Sequence, residues 1–243
     1  MPMALPVLRK LVIKTEDNIA RFIEKLHAPE LTCVDLTFVK HSKPFISNLL
    51  QKRKIRKLSI TTRYSLHSSF LDSLRKCPTL IALTIKRDSA GPDLESERNT
   101  FTLDDKFLRL LTDDNDPLCP HLEELIYESI IEFTIDGMVE FIRRKQADRN
   151  RGLAKLKTIS VSNLQSDSDS DSDSEGNNSD SELEAFTAWQ DSEEAEHYLA
   201  DGLKIQHWQP EVVDWDSPTE EHDDDLLISF GNSSAQYCDS WLE

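Results

Sequence analysis

A chain of 243 residues with 38% apolar and 30% charged side chains can bury a core of ordinary domain size, but is too polar to be packed throughout. The net charge of −17 is unevenly spread, because residues 164–243 carry 23 acidic side chains and 1 basic one while residues 1–163 carry 22 and 27. A polyanion of that kind offers no cationic surface for phosphates, so nucleic acid is not an expected partner.

The first residues, MPMALPVLRKLVIK, lack a basic region followed by an apolar run, and no stretch approaches the roughly 20 apolar residues that span a bilayer. The expectation is a soluble, intracellular protein, cytoplasmic or nuclear, with no membrane partner. Cys33, Cys77, Cys119 and Cys238 are widely spaced without a C-x-x-C. Reduced thiols are expected rather than a disulfide framework or a zinc site.

From the N-terminus onward an apolar triplet with 1-4-6 spacing recurs: Leu8-Leu11-Ile13, Leu31-Val34-Leu36, Ile55-Leu58-Ile60, Leu80-Leu83-Ile85, Leu122-Leu125-Tyr127 and Leu156-Ile159-Val161. The first four begin 23, 24 and 25 residues apart, within the window of leucine-rich repeats, and later gaps of 42 and 34 require insertions. Pro6, Pro29, Pro78 and Pro120 each stand two residues before the first leucine of a triplet. Proline cannot continue a helix and biases its predecessor toward extended backbone, so each one stops a helix and feeds a strand.

Between the triplets lie segments with the 3.6 period of an amphipathic helix. Ile19, Phe22, Ile23 and Leu26 form one set, and Ile135, Met138, Val139 and Ile142 another; shorter sets are Ile46-Leu49-Leu50, Phe70-Leu71-Leu74 and Phe107-Leu110-Leu111. Parallel strands need such crossovers. Residues 5–164 are therefore expected to form an α/β, irregular leucine-rich-repeat solenoid, with a parallel sheet and helices on its convex side. A doubly wound α/β domain is the alternative, but it favours longer strands and a Gly-rich ligand turn, and the six glycines include no G-x-G.

The strings CPTLIAL (77–83) and CPHLEEL (119–125) resemble the repeat region of F-box leucine-rich-repeat proteins. The stretch from Leu118 to Gln146, with LAKLKTISV after it, is similar to the fungal, mushroom-type set of these proteins. The resemblance implies the half of such proteins that recruits a substrate to a ubiquitin ligase. No F-box helix cluster precedes Leu8, so docking to the ligase is expected only if an F-box is supplied upstream. The slots three residues after each triplet hold Glu16, Val39, Arg63, Asp88, Ile130 and Leu164, so no asparagine ladder is expected. A first repeat without a polar cap is expected either to be covered or to belong to a longer product.

Alternation in a strand places the residues between the triplet leucines on the opposite face. Lys10, Lys14, Asp35, Lys57, Lys86, Glu124, Ile126 and Glu128 are the candidate protein-binding residues on that face. The basic group Lys52-Arg53-Lys54-Arg56-Lys57 reads as a nuclear-localisation or phosphate-binding patch or, equally well, as a solvated helix end with its following strand, and Arg143-Arg144-Lys145 as a structural helix end. The latter complements a helix dipole.

Residues 165–182 are an acidic Ser/Asp insert with nothing to bury, expected to be disordered. Ser166, Ser168, Ser170 and Ser172 each have an acid three residues later, as acidophilic serine kinases require. A last helix and strand are expected within 183–210. The tail, 211–243, mixes acids with Trp215, Leu226-Leu227-Ile228 and Phe230, and is expected to be an unstructured end or a short docking motif. No nucleophile, phosphate-loop or metal signature occurs, so no enzyme activity, metal or cofactor is expected. The function expected is non-catalytic binding of an unidentified protein ligand. The alternative is an acidic regulator or chaperone of basic proteins that acts through its phosphorylatable polyanion.

Overall fold

Each apolar triplet becomes the entry and body of one strand in a computed structural model that describes residues 3–15, 20–38, 49–50, 54–62, 66–67, 69–87, 100–101, 103–128, 131–147, 152–162, 185, 187–206 and 225–229. The chain is α/β, with one mostly parallel sheet and helices between its strands. Seven strands lie side by side in chain order: β1 (Lys10–Thr15), β2 (Cys33–Phe38), β3 (Lys57–Thr62), β4 (Ala82–Arg87), β5 (Glu124–Glu128), β6 (Thr158–Ser162) and β7 (Lys204–Gln206). An eighth, β8 (Asp225–Ser229), pairs in parallel with β1 at the opposite edge from β7. It falls in the acidic tail read from the sequence as an unstructured end or a short docking motif. The candidate phosphorylation sites Ser166, Ser168, Ser170 and Ser172, with the rest of the acidic insert, lie outside the described residues.

The pairing is in register throughout. Leu11 aligns with Val34, Leu58, Leu83, Leu125 and Ile159, and Ile13 aligns with Leu36, Ile60, Ile85, Tyr127 and Val161. All twelve are at most 3% exposed. A slip of one residue would turn an entire strand's apolar set outward, so the two columns fix the register.

Two local devices bring each strand in at the same point. The N–H groups of Leu8, Leu31, Leu80 and Leu122 donate to the carbonyls of Leu5, Ala28, Cys77 and Cys119, at 3.0 to 3.3 Å. Each closes a four-residue turn with Pro6, Pro29, Pro78 or Pro120 in second position, where the ring pre-sets φ. The proline thus shapes a turn as well as stopping a helix. Next, the carbonyls of Arg9, Thr32, Arg56, Ile81 and Glu123 each accept two consecutive N–H groups of the following strand's entry, at 2.7 to 3.1 Å. The shared acceptor gives every entry the same bend, much as a bulge does.

The helices are α1 (Ala20–Lys25), α2 (Ser69–Arg75), α3 (Asp105–Leu111), α4 (Ile135–Ala147) and α5 (Glu193–Ala200). Their apolar residues, among them Ile23, Leu74, Phe107, Met138 and Phe141, join the two strand columns in one core. Asp104 caps α3 by accepting the Phe107 N–H at 2.8 Å. Asp105 accepts the N–H and hydroxyl of Thr134 at 2.9 and 3.0 Å, and the Thr134 hydroxyl oxygen accepts the Gly137 N–H at 3.0 Å, which caps α4. The core tyrosine among the triplets, Tyr127, accepts the Leu103 N–H with its hydroxyl at 3.1 Å.

Beyond the acidic insert, α5 is fastened to α4. The Arg143 guanidinium makes a two-point bond to Glu194, the Nη2 to Oε2 distance being 2.7 Å, and Trp189 Nε1 and the Tyr198 hydroxyl donate to the same carboxylate at 3.3 Å. The arginine holds the Glu194 carboxyl well below the usual carboxylate range. Gly202, at φ +97°, ends α5 in the left-handed region, and Lys204 N–H reaches Lys157 O at 2.8 Å to start β7.

A Cβ built on Gly137 would lie 2.0 Å from Asp105 Oδ1, so this glycine lets the α3–α4 fastening form. Gly137→Ala, which in an ordinary helix interior stabilises by about 1 kcal/mol, is expected here to cost about 1 to 3 kcal/mol in urea unfolding. A gain would contradict the close approach. Leu36→Ala, at a fully buried register position, is expected to cost about 2 to 5 kcal/mol, and Thr37→Ala on the other face about 0.5 kcal/mol or less.

Candidate functional site

The face opposite the two apolar columns is built by the same alternation, and the ladder aligns its residues in rows. One row runs Lys10, Cys33, Lys57, Ala82, Glu124, Thr158, Lys204; the next runs Val12, Asp35, Ser59, Thr84, Ile126, Ser160, Gln206; the third runs Lys14, Thr37, Thr61, Lys86, Glu128, Ser162. All eight candidate residues, Lys10, Lys14, Asp35, Lys57, Lys86, Glu124, Ile126 and Glu128, therefore stand on one face of the sheet. They do not converge. Neighbouring strands lie about 4.8 Å apart, so Lys14 and Glu128 are separated by roughly 19 Å and the seven strands span roughly 29 Å.

Two of the eight do meet. Lys86 and Glu128 are directly opposed in the ladder, with Nζ 3.0 Å from Oε1. The Glu128 side chain is 8% exposed and that of Lys86 39%, so the pair is set into the sheet. The acid is held by its neighbour, whereas Lys14 and Lys57 are exposed. Ala82 on β4 and Ser160 on β6 are small and buried, and the Ser160 hydroxyl has no hydrogen-bond partner among the described residues. The pattern is a shallow floor with cations toward β1 and β3 and acids at β5.

Sequence reasoning missed how deep some polar groups lie. Lys145, read with Arg143 and Arg144 as a cation that complements a helix end, is 1% exposed and its ammonium has no hydrogen-bond partner among the described residues. Arg143 and Arg144 stay at the surface, bonded to Glu194 and Glu140. Burial pushes the Lys145 ammonium down to about 8, against the opposing pull of Cys119 and Glu123. The helical period carried the signal, since 145 follows Met138, Phe141 and Ile142 on the buried side.

The cysteines divide the same way. Cys77 and Cys119 fill equivalent turn positions in the core, and burial raises their thiols to about 11 and about 12. Cys33 is a half-buried thiol on the open face, in no disulfide. Of the basic cluster near residue 55, Lys54, Arg56 and Lys57 are exposed, and Lys52 and Arg53 lie outside the described residues.

Among the described residues no group of three or more His, Cys, Asp or Glu is arranged to hold a metal ion, and no helix is long and apolar enough to cross a membrane. Comparison with protein-family models, curated proteins and solved structures gave no match.

Lys145 sets a test of the core. The unfolded chain keeps this proton up to its ordinary value of 10.5, the folded chain only to about 8. The buried charge therefore costs stability below about 8, and that cost fades as pH rises from 8 toward 10.5. Lys145→Met is expected to be more stable than the parent near neutral pH by about 2 to 3 kcal/mol, with the advantage shrinking at higher pH. Denaturant curves of both proteins at several pH values check this; a constant difference, or a less stable variant, contradicts it.

Proposed function

We propose that this chain is a non-catalytic protein-binding module, an irregular leucine-rich-repeat solenoid whose open strand face holds the ligand. The observation that carries the reading is the width and dispersal of that face: rows across seven in-register strands, with charges spread over roughly 29 Å and, among the described residues, no convergent cluster of reactive groups. A surface of that kind suits another protein better than a small substrate, which favours a concave site with a few converging polar groups. The repeat reading is supported by β1 to β7 neighbouring one another in chain order, β8 alone departing from it, where a doubly wound sheet reverses its order midway. The recurrent proline turns and doubly accepting carbonyls support it too.

The CPxLxxL strings favour the substrate-recruiting role of an F-box repeat domain, with ubiquitin-ligase components as indirect partners wherever an F-box is joined to it. A second reading rests on a separate observation, the 23 acidic side chains against 1 basic one in residues 164–243. On that reading the polyanion shields basic proteins, and phosphorylation of Ser166 to Ser172 strengthens it.

One experiment separates the two readings. Proteins captured by the chain from cell extract are compared with those captured by a face variant, Lys14→Glu/Lys57→Glu/Ile126→Asp, and by a variant lacking residues 166–182. The expected result is a loss of about tenfold or more with the face variant, each buried anchor contributing roughly 1 to 2 kcal/mol, and little change on the deletion. Capture that survives the face variant but disappears with the deletion, and falls steeply with salt, overturns the strand-face reading in favour of the polyanion.

A further inference from the structure

The outer edge of β1 is the place where the sheet is completed by a segment from elsewhere in the chain. An uncovered edge strand presents a row of unpaired N–H and C=O groups and invites pairing with other chains. Here Asp225 to Ser229 align residue for residue with Lys10 to Lys14. The two sequences match in pattern, Lys-Leu-Val-Ile-Lys against Asp-Leu-Leu-Ile-Ser. Leu226 and Ile228 take the register positions of Leu11 and Ile13. At the ends of the ladder Asp225 stands opposite Lys10, and Asp223 and Asp224 precede it in sequence.

We propose that the outer edge of β1 is a docking edge for an extended acidic-apolar segment, and that the chain's own Asp225–Ser229 is its occupant, a detachable strand that closes the sheet in cis. The reach suffices. The 18 residues 207–224 span up to about 60 Å when extended, against about 34 Å across seven strand spacings. β8, like β7 an edge strand, is held by one neighbour while β1 to β6 each have two, so its release breaks one ladder and leaves that from β1 to β7 paired. The proposal is independent of which ligand the open face takes.

The test uses the full-length chain. A double substitution, Leu226→Pro/Leu227→Pro, removes the inward-facing N–H whichever of the two residues supplies it. Hydrogen exchange read by mass spectrometry is expected to show the amides of 10–15 losing protection by about tenfold or more, with those of β3 to β5 unchanged. A synthetic peptide of residues 222–231 is then expected to bind this variant and restore the protection, and to bind the unsubstituted chain at least about tenfold more weakly, because its edge is filled. Equal protection of 10–15 in both proteins, or no binding of the peptide to the variant, overturns the proposal. A second protein, with a specific protease site between residues 212 and 218, leaves the strand unaltered; after cleavage its C-terminal piece should stay bound and exchange with labelled peptide. Immediate loss of that piece, or a sizing profile showing that the unsubstituted chain is a dimer joined by its tails, overturns the closure in cis.

Discussion

Everything in this molecule depends on strands entering one parallel ladder at the same register. The columns headed by Leu11 and Ile13 exist only if each chain segment arrives neither one residue early nor one late. The turns at Pro6, Pro29, Pro78 and Pro120, and the carbonyls that take two N–H groups, settle that arrival locally. Strand entry is fixed, so the chain between strands can vary in length. β1 to β4 begin 23 to 25 residues apart, whereas β4 and β5 begin 42 apart without a shift in register.

The same register makes a face. Aligned rows of Lys, Ser, Thr and Glu follow automatically once the alternate positions are buried, and the balance of charge along each row is set by which residue the sequence supplies at that step. Lys86 and Glu128 neutralise one another because they fall on directly opposed positions of neighbouring strands. Lys14 and Lys57 extend from strands two apart, and remain at the surface. The polarity of the protein is thereby partitioned: a mixed face on the sheet, an apolar core beneath it, and a large negative charge in the residues after β6.

Much of this was legible in the sequence, and the reason is periodicity. A 1-4-6 apolar spacing with a proline ahead of it specifies turn, entry and strand together, and the period of two then assigns Lys10, Asp35, Ile126 and their neighbours to one side. Depth was not legible. The helical period puts Lys145 on the buried side of α4 with Met138, Phe141 and Ile142, but a lysine at a helix end ordinarily keeps its charge in water, as Arg144 one position earlier does, and only tertiary packing seals it. Nor did the pattern announce that Glu128 is paired. The strand at Asp225–Ser229 is hidden for a different reason: five residues in an acidic stretch, without proline punctuation, acquire their meaning only from a partner more than 200 positions away.

The central claim is that ligands sit on the strand face and not on the helix side, and lysine footprinting tests it most directly. Acylation of the chain, alone and in complex with a captured protein, should show Lys10, Lys14 and Lys57 protected in the complex. Lys25, Lys76 and Lys106, exposed on or beside α1, α2 and α3, should react equally in both states. Protection of Lys25, Lys76 and Lys106 while Lys14 and Lys57 stay reactive would contradict it.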